Sequence, residues 1–127
     1  MSTLKRWLSL EPLFLLLLCG CQKRVTQAAL VTGGDADRGR LALERYGCGS
    51  CHRIPGVRGA RGLTGPPLQG LEDRIFIAGV VRNEPASLVR WIMDPPAIDP
   101  LTAMPALGVS EADARDIAEY LYQRSRR

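Results

Sequence analysis

Cys48-Gly49-Ser50-Cys51-His52 is the stretch on which the reading of this chain turns. It is a single C-x-x-C-H, the pattern of a covalent c-type haem attachment site. Two thiols three positions apart can each add to a vinyl group on one edge of a haem. The histidine directly after the second thiol is then held beneath the iron, where Nε2 serves as an axial ligand. The motif thus predicts one haem c per chain, attached at Cys48 and Cys51 and ligated by His52.

The composition fits a cofactor-filled domain. The chain has 127 residues but only two Trp, three Tyr and two Phe, so protein core material is thin. A domain of that size is marginal on apolar burial alone. A buried haem supplies the missing apolar volume, and its covalent link staples the chain around it. Charge is only mildly basic, 17 Lys and Arg against 13 Asp and Glu. The basic residues are scattered rather than blocked, which argues against a nucleic-acid partner.

The first 20 residues read as a signal peptide and stand outside the fold. Lys5 and Arg6 form the basic end, and Leu13 to Leu18 the apolar run, with Glu11-Pro12 interrupting it upstream. The run is short of the roughly 20 apolar residues of a spanning helix, and a retained membrane anchor is the alternative. Leu18-Cys19-Gly20-Cys21 is similar to a bacterial lipobox, with Cys21 the cysteine to be acylated. Several acyl chains on one cysteine would hold the chain at a membrane surface. Gln22 follows it where some bacteria use aspartate for inner-membrane retention, which favours the outer membrane on the periplasmic side. Residues 21–34 are then the anchor and a flexible tether, and residues 35–127 the domain.

Within the domain the elements are helices separated by long loops. Asp35 or Asp37 can cap a first helix that Gly47 stops, with Gly39 marking close approach of another backbone. From Arg53 to Gly70 the chain carries Pro55, Pro66, Pro67 and five glycines, which makes it an extended loop. Such a length without secondary structure points to a task, and wrapping a haem edge is one. Asn83-Glu84-Pro85 starts a second helix, with Asn83 or Glu84 available to cap it, and its Leu88, Trp91 and Ile92 share one face; Asp94-Pro95-Pro96 ends it. Ser110-Glu111-Ala112-Asp113 fits a capping box before a final helix with Ala114, Ile117, Ala118, Leu121 and Tyr122 on one stripe. No β-alternation of useful length is present.

The second iron ligand is restricted by counting. His52 is the only histidine, and beyond the signal the lone lysine is Lys23 in the tether. Two methionines remain there. Met93 sits inside a helix and reads as core filler. Met104 lies in the proline-bounded loop Pro100-Leu101-Thr102-Ala103-Met104-Pro105 and is the candidate ligand. A thioether in that position raises the potential and leaves no open site for oxygen or peroxide, which suits electron transfer rather than catalysis.

From about Asp35 to Gln123 the chain resembles a class I cytochrome c domain. The pieces occur in family order: the Gly39 helix, the C-x-x-C-H, Thr64-Gly65-Pro66-Pro67-Leu68-Gln69-Gly70, Leu88 to Pro95, Pro100 to Met104, and a last helix with Ile117 and Tyr120. The resemblance implies an all-α class I cytochrome c fold, helices and loops wrapped around one covalent haem. It implies that the Pro66 carbonyl accepts the His52 Nδ1 proton, which raises ligand basicity. It also implies Leu68 against the haem ring, Trp91 near the Met104 side, Arg74 and Thr102 at the propionates, and Gly39 against Tyr120 where the terminal helices cross. Leu101 stands where the family often has glycine. Ile77-Ala78-Gly79 followed by Asn83-Glu84-Pro85 is similar to cytochrome c domains fused to subunit II of haem-copper oxidases, without their copper-binding portion.

The expected function is therefore a non-enzymatic electron carrier, lipid-tethered on the periplasmic side and cycling one haem between Fe(III) and Fe(II) in a respiratory chain. Its partners would be redox proteins, a terminal oxidase among the candidates. A haem c subunit of a larger oxidase or dehydrogenase, and a gas sensor whose Met104 is displaced, are the other readings. A dithiol-redox or zinc role for Cys48 and Cys51 lacks both a βαβ pattern and a second ligand pair.

Overall fold

A computed structural model describes residues 32–124. The signal segment, Cys21 and most of the tether lie outside them. The fold is mostly α: α1 (Ala36–Arg45), α2 (Pro85–Met93), the short α3 (Pro95–Ile98) and α4 (Glu111–Arg124), with one two-stranded hairpin. Among the described residues no helix is long and apolar enough to cross a membrane.

The helices start where short polar side chains can satisfy orphan amides. Asp35 caps α1, its carboxylate accepting the Arg38 N–H at 2.8 Å. The helix ends at Tyr46, and Gly47 turns the chain with φ +69°, the left-handed conformation that a glycine adopts without a Cβ penalty. Ser110 caps α4 by accepting the Asp113 N–H at 3.2 Å. Only half of the capping box forms, because the Asp113 carboxylate turns to the hydroxyls of Ser110 and Tyr46 and to Arg45. Those three groups hold the Asp113 carboxyl below the usual carboxylate range, the Ser110 hydroxyl contributing most. Glu84, not Asn83, occupies the cap position of α2, and neither side chain caps it. Asp94 ends α2 and at once caps α3 through the Ala97 N–H, so the two prolines restart a helix there.

α1 crosses α4 at Gly39, and the crossing is backbone against backbone. A Cβ at Gly39 would run into the Asp116 carbonyl and come within 3.0 Å of the Tyr120 Cβ. Around it Ala42, Leu43, Ala114, Ile117, Ala118 and Leu121 are buried, joined by Leu88, Trp91 and Ile92 of α2. The Asp116 carboxylate pins the crossing from one side: it accepts the Asp35 N–H at 2.6 Å and the Arg38 guanidinium at 2.7 and 2.9 Å. Thr32 is fully buried, its hydroxyl donating to the carboxylate of Glu119, itself 1% exposed. Packing onto α4 thus reaches back to Thr32, three residues into the stretch expected to be tether, because a buried carboxylate there needs a donor.

The hairpin was invisible to alternation for a simple reason. β1 (Phe76–Ile77) and β2 (Val81–Arg82) have two residues each, with Phe76 opposite Arg82 and Ile77 opposite Val81. Their turn depends on Ala78 and Gly79 at φ 51° and 78°. Two residues cannot display a period of two.

Gly39→Ala forces the two helices apart. The expected loss is about 1–3 kcal/mol, the usual cost of overpacking a close contact. Chemical denaturation of the two proteins side by side measures it, and an unchanged midpoint would contradict the backbone crossing.

Candidate functional site

The Cys48–His52 stretch is a tight turn clamped by the loop that follows it. Cys48–Ser50 forms one 3₁₀ turn, and the His52 N–H closes on the Cys48 carbonyl at 3.0 Å. The loop then runs back alongside. The Gly62 N–H donates to Gly49 at 3.0 Å, Gly65 to Cys51 at 2.8 Å and Leu68 to Arg53 at 2.9 Å. The isolated bridge between Arg53 and Arg61 closes the intervening loop. Backbone amides therefore do here what a helix or strand does elsewhere, and the loop owes its order to them. From the other side the Tyr120 hydroxyl of α4 donates to the Pro55 carbonyl at 2.6 Å, which ties the loop to the helix crossing.

His52 is held on two counts. Its Nδ1 lies 2.7 Å from the Pro66 carbonyl oxygen, a contact in which Nδ1 must carry the proton. The ring lies against Gly65, where a Cβ would come within 2.6 Å of Nδ1 and 2.9 Å of Nε2. With Nδ1 engaged, Nε2 is the nitrogen left with a lone pair. Cys48 and Cys51 are free, half-buried thiols. Burial pushes the Cys48 thiol above its ordinary value, the opposite of the depressed value that makes a dithiol a redox nucleophile. Among the described residues no three His, Cys, Asp or Glu side chains converge as a metal site, so a zinc centre built on these two thiols has no further protein ligands.

The Pro66 turn is itself carried by Arg74. The Arg74 guanidinium donates to the carbonyls of Pro67 and, at 3.2 Å, of Gln69. Sequence reasoning assigned this arginine to propionates; the structure places it on backbone oxygens of the turn. Asn83, read from the sequence only as a helix cap, donates from Nδ2 to the carbonyls of Leu71 at 2.6 Å and Arg74 at 2.9 Å. It accepts the Tyr122 hydroxyl at 2.8 Å. An asparagine before a proline-started helix signals a cap, and no local pattern signals this second use.

The remaining candidates divide between two regions. Leu68 and Met104 are partly buried and pack against the core, and Trp91 is buried in it. The Thr102 hydroxyl accepts the Met104 N–H at 3.2 Å, a local turn that sets the backbone of the methionine loop. Met93 lines a groove of about 620 Å³ with Thr32, Val89, Arg90, Glu111 and Arg115, between α2 and the start of α4. His52 makes its contacts with the Gly65-Pro66 turn and touches none of that groove's polar lining. Large apolar side chains are exposed on the loops that carry Pro66 and Met104, Leu63 at 79% and Leu101 at 94%, and just before β1, Ile75 at 70%.

The chemistry of this donor set fits a covalently attached haem. Two reduced thiols and an imidazole with a free Nε2 lie on one turn, and Cys48 and Leu68 of the adjoining loop pack against the apolar core. Burial, with a smaller contribution from the Glu84 charge, lifts the Tyr122 hydroxyl from 10.0 to about 12. Above pH 10 the unfolded chain releases that proton while the folded chain keeps it, so stability falls as the pH rises from about 10 to about 12. Denaturation midpoints across that window test this, and Tyr122→Phe is expected to flatten the slope. Comparisons with protein-family models, curated proteins and solved structures return no match to this chain.

Proposed function

We propose that this protein is a one-electron carrier of the class I cytochrome c type, with haem c bound through Cys48 and Cys51. The observation that carries the reading is the His52–Pro66 contact at 2.7 Å inside a C-x-x-C-H turn. It commits Nδ1 to a carbonyl and leaves Nε2 for a metal, as a histidine ligand with an outer partner requires. When bound, the haem supplies a one-electron Fe(III)/Fe(II) couple. Everything else is done by the chain.

Cys48 and Cys51 would hold the group through two thioether bonds to its vinyl substituents. His52 would ligate the iron through Nε2, its ring oriented by Pro66. Met104, in a loop whose backbone is set by Thr102, would be the second protein ligand, a neutral thioether. Leu68 and Trp91 would keep water from the ring, Thr102 would meet a propionate, and Arg74 would hold the Pro66 turn through the Pro67 and Gln69 carbonyls. Two fixed ligands suit both oxidation states, so little rearrangement accompanies transfer. Cys21 anchors the domain by acylation to the periplasmic side of a bacterial membrane.

The partner reading rests on how the arginines are used. Arg38, Arg40, Arg45, Arg115 and Arg124, all on α1 and α4, are ion-paired. Arg53, Arg58 and Arg61 are exposed, and their guanidinium groups have no hydrogen bond or ion pair among the described residues. All three lie on the loop folded over the Cys48–His52 turn. Among the described residues Arg82 and Arg90 are exposed and unpaired as well, on the hairpin and on α2; the share of free positive charge on the loop borders the proposed site of electron entry and suits an acidic redox protein.

Two measurements test the proposal. Protein matured in a periplasm should give a haem c spectrum that survives denaturation. Its ferric form should show the weak red band of thioether ligation, lost in Met104→Ala and kept in Met93→Ala. Loss in Met93→Ala instead would overturn the ligand assignment, and a protein that binds no haem would overturn the function. With ferricyanide as an anionic oxidant, the second-order rate should fall as salt rises. The double change of Arg58 and Arg61 to Gln should flatten that dependence.

A further inference from the structure

Asn83 occupies an unusual place for a residue beside a helix start. Its side chain donates nothing to the helix it precedes. Both of its described amide-proton contacts are to backbone carbonyls of the segment before the hairpin, Leu71 and Arg74. Its oxygen is fixed by the Tyr122 hydroxyl of α4, which settles which end of the amide points where. Its own N–H donates to the Ile75 carbonyl at 2.9 Å, so backbone and side chain grip one short stretch, Leu71 to Ile75. That stretch ends the loop of the haem motif. Arg74, held at its carbonyl by Asn83, reaches back with its guanidinium to the Pro67 and Gln69 carbonyls. Pro66, one residue earlier, accepts from His52 Nδ1.

We propose that Asn83 is a positioning residue for His52: it links Tyr122 of the last helix to Arg74, and through Arg74 to the turn whose Pro66 carbonyl holds the imidazole. The proposal rests on the haem reading above for its consequence at the iron. Its structural half, that Asn83 holds the Pro66 turn, stands without haem. The link works because an asparagine offers two donors and an acceptor on one rigid plane. Aspartate has nearly the same shape but would set carboxylate oxygens against two carbonyl oxygens, with no proton between them at neutral pH. Loosening the turn weakens the Nδ1–H···O bond, so Nε2 becomes a poorer donor and the ferric state loses stabilisation relative to the ferrous. The midpoint potential then rises.

The test uses the purified ferrous holoprotein and reads two quantities: the midpoint potential, and hydrogen exchange at the amides of Gly65 and Leu68, which pin the turn to Cys51 and Arg53. Asn83→Asp should raise the potential and speed both amides by about tenfold, the scale of losing one or two hydrogen bonds. Tyr122→Phe should act in the same direction with a smaller effect. Tyr46→Phe removes a hydroxyl that bonds Asp113 on the same helix, outside this network, and should leave both readouts where they were. An unchanged potential with unchanged exchange in Asn83→Asp overturns the proposal while leaving the electron-carrier reading intact. Equal shifts in Tyr46→Phe also overturn it, since the effect would then be general loss of stability. Should Asn83→Asp fail to fold, Tyr122→Phe decides alone, and no change in either readout is fatal. Absence of covalent haem in the unsubstituted protein defeats the function reading instead, and exchange at the two amides still settles whether Asn83 holds the turn.

Discussion

The contact of Gly39 with the backbone of α4 is the constraint from which the rest of the arrangement follows. Without a Cβ in the way, α1 and α4 meet main chain to main chain. That approach brings Asp116 within reach of the Asp35 N–H and Arg38, and leaves Tyr120 pointing past the crossing to Pro55. The first ordered point after the Cys48–His52 turn is thereby referenced to the packing of the terminal helices. Burying a tyrosine hydroxyl is tolerable only because it finds a carbonyl. Burial lifts the Tyr120 hydroxyl above its ordinary value, which extends the alkaline range over which it stays a donor.

Between the helix crossing and the turn, order is carried by irregular backbone. The loop from Arg53 to Gly70 contains an isolated bridge but no element longer than that, yet its amides pair with the Cys48–His52 turn at Gly49 and Cys51. A loop held this way has little freedom to change the direction of the imidazole. The charge distribution follows the same division. Arginines on the two terminal helices are consumed by nearby carboxylates, whereas those on the loop are left to solvent. Among the described residues, the arginines whose guanidinium groups are left without an ion pair or hydrogen bond are those of this loop together with Arg82 and Arg90.

The legible parts of the fold were those encoded within a few residues. Asp35 and Gly47 bracket α1, Pro85 opens α2, and Ser110 caps α4, because caps and breakers act over one helical turn. The hairpin escaped notice because two-residue strands carry no periodicity. Asn83 and Asp113 were read by their nearest neighbours as a cap and half of a capping box. Both spend their polar atoms on residues far along the chain, Tyr122 and Tyr46 respectively. Thr32 looked like tether because its partner, Glu119, is 87 residues away.

For the site, the sequence by itself determined the chemical inventory: two thiols and one imidazole in C-x-x-C-H, no other histidine, and two methionines after residue 20. Such an inventory depends on residue identity and short spacing, both of which survive without a fold. Only the tertiary structure decided that Arg74 serves the Pro67 and Gln69 carbonyls, that Asn83 holds Arg74, and that Met93 faces a groove beside Thr32 and Arg115. The physical reason is that hydrogen bonds and packing are satisfied by whatever lies nearest in space. Once Gly39 lets the terminal helices touch, nearest in space no longer means nearest in the chain.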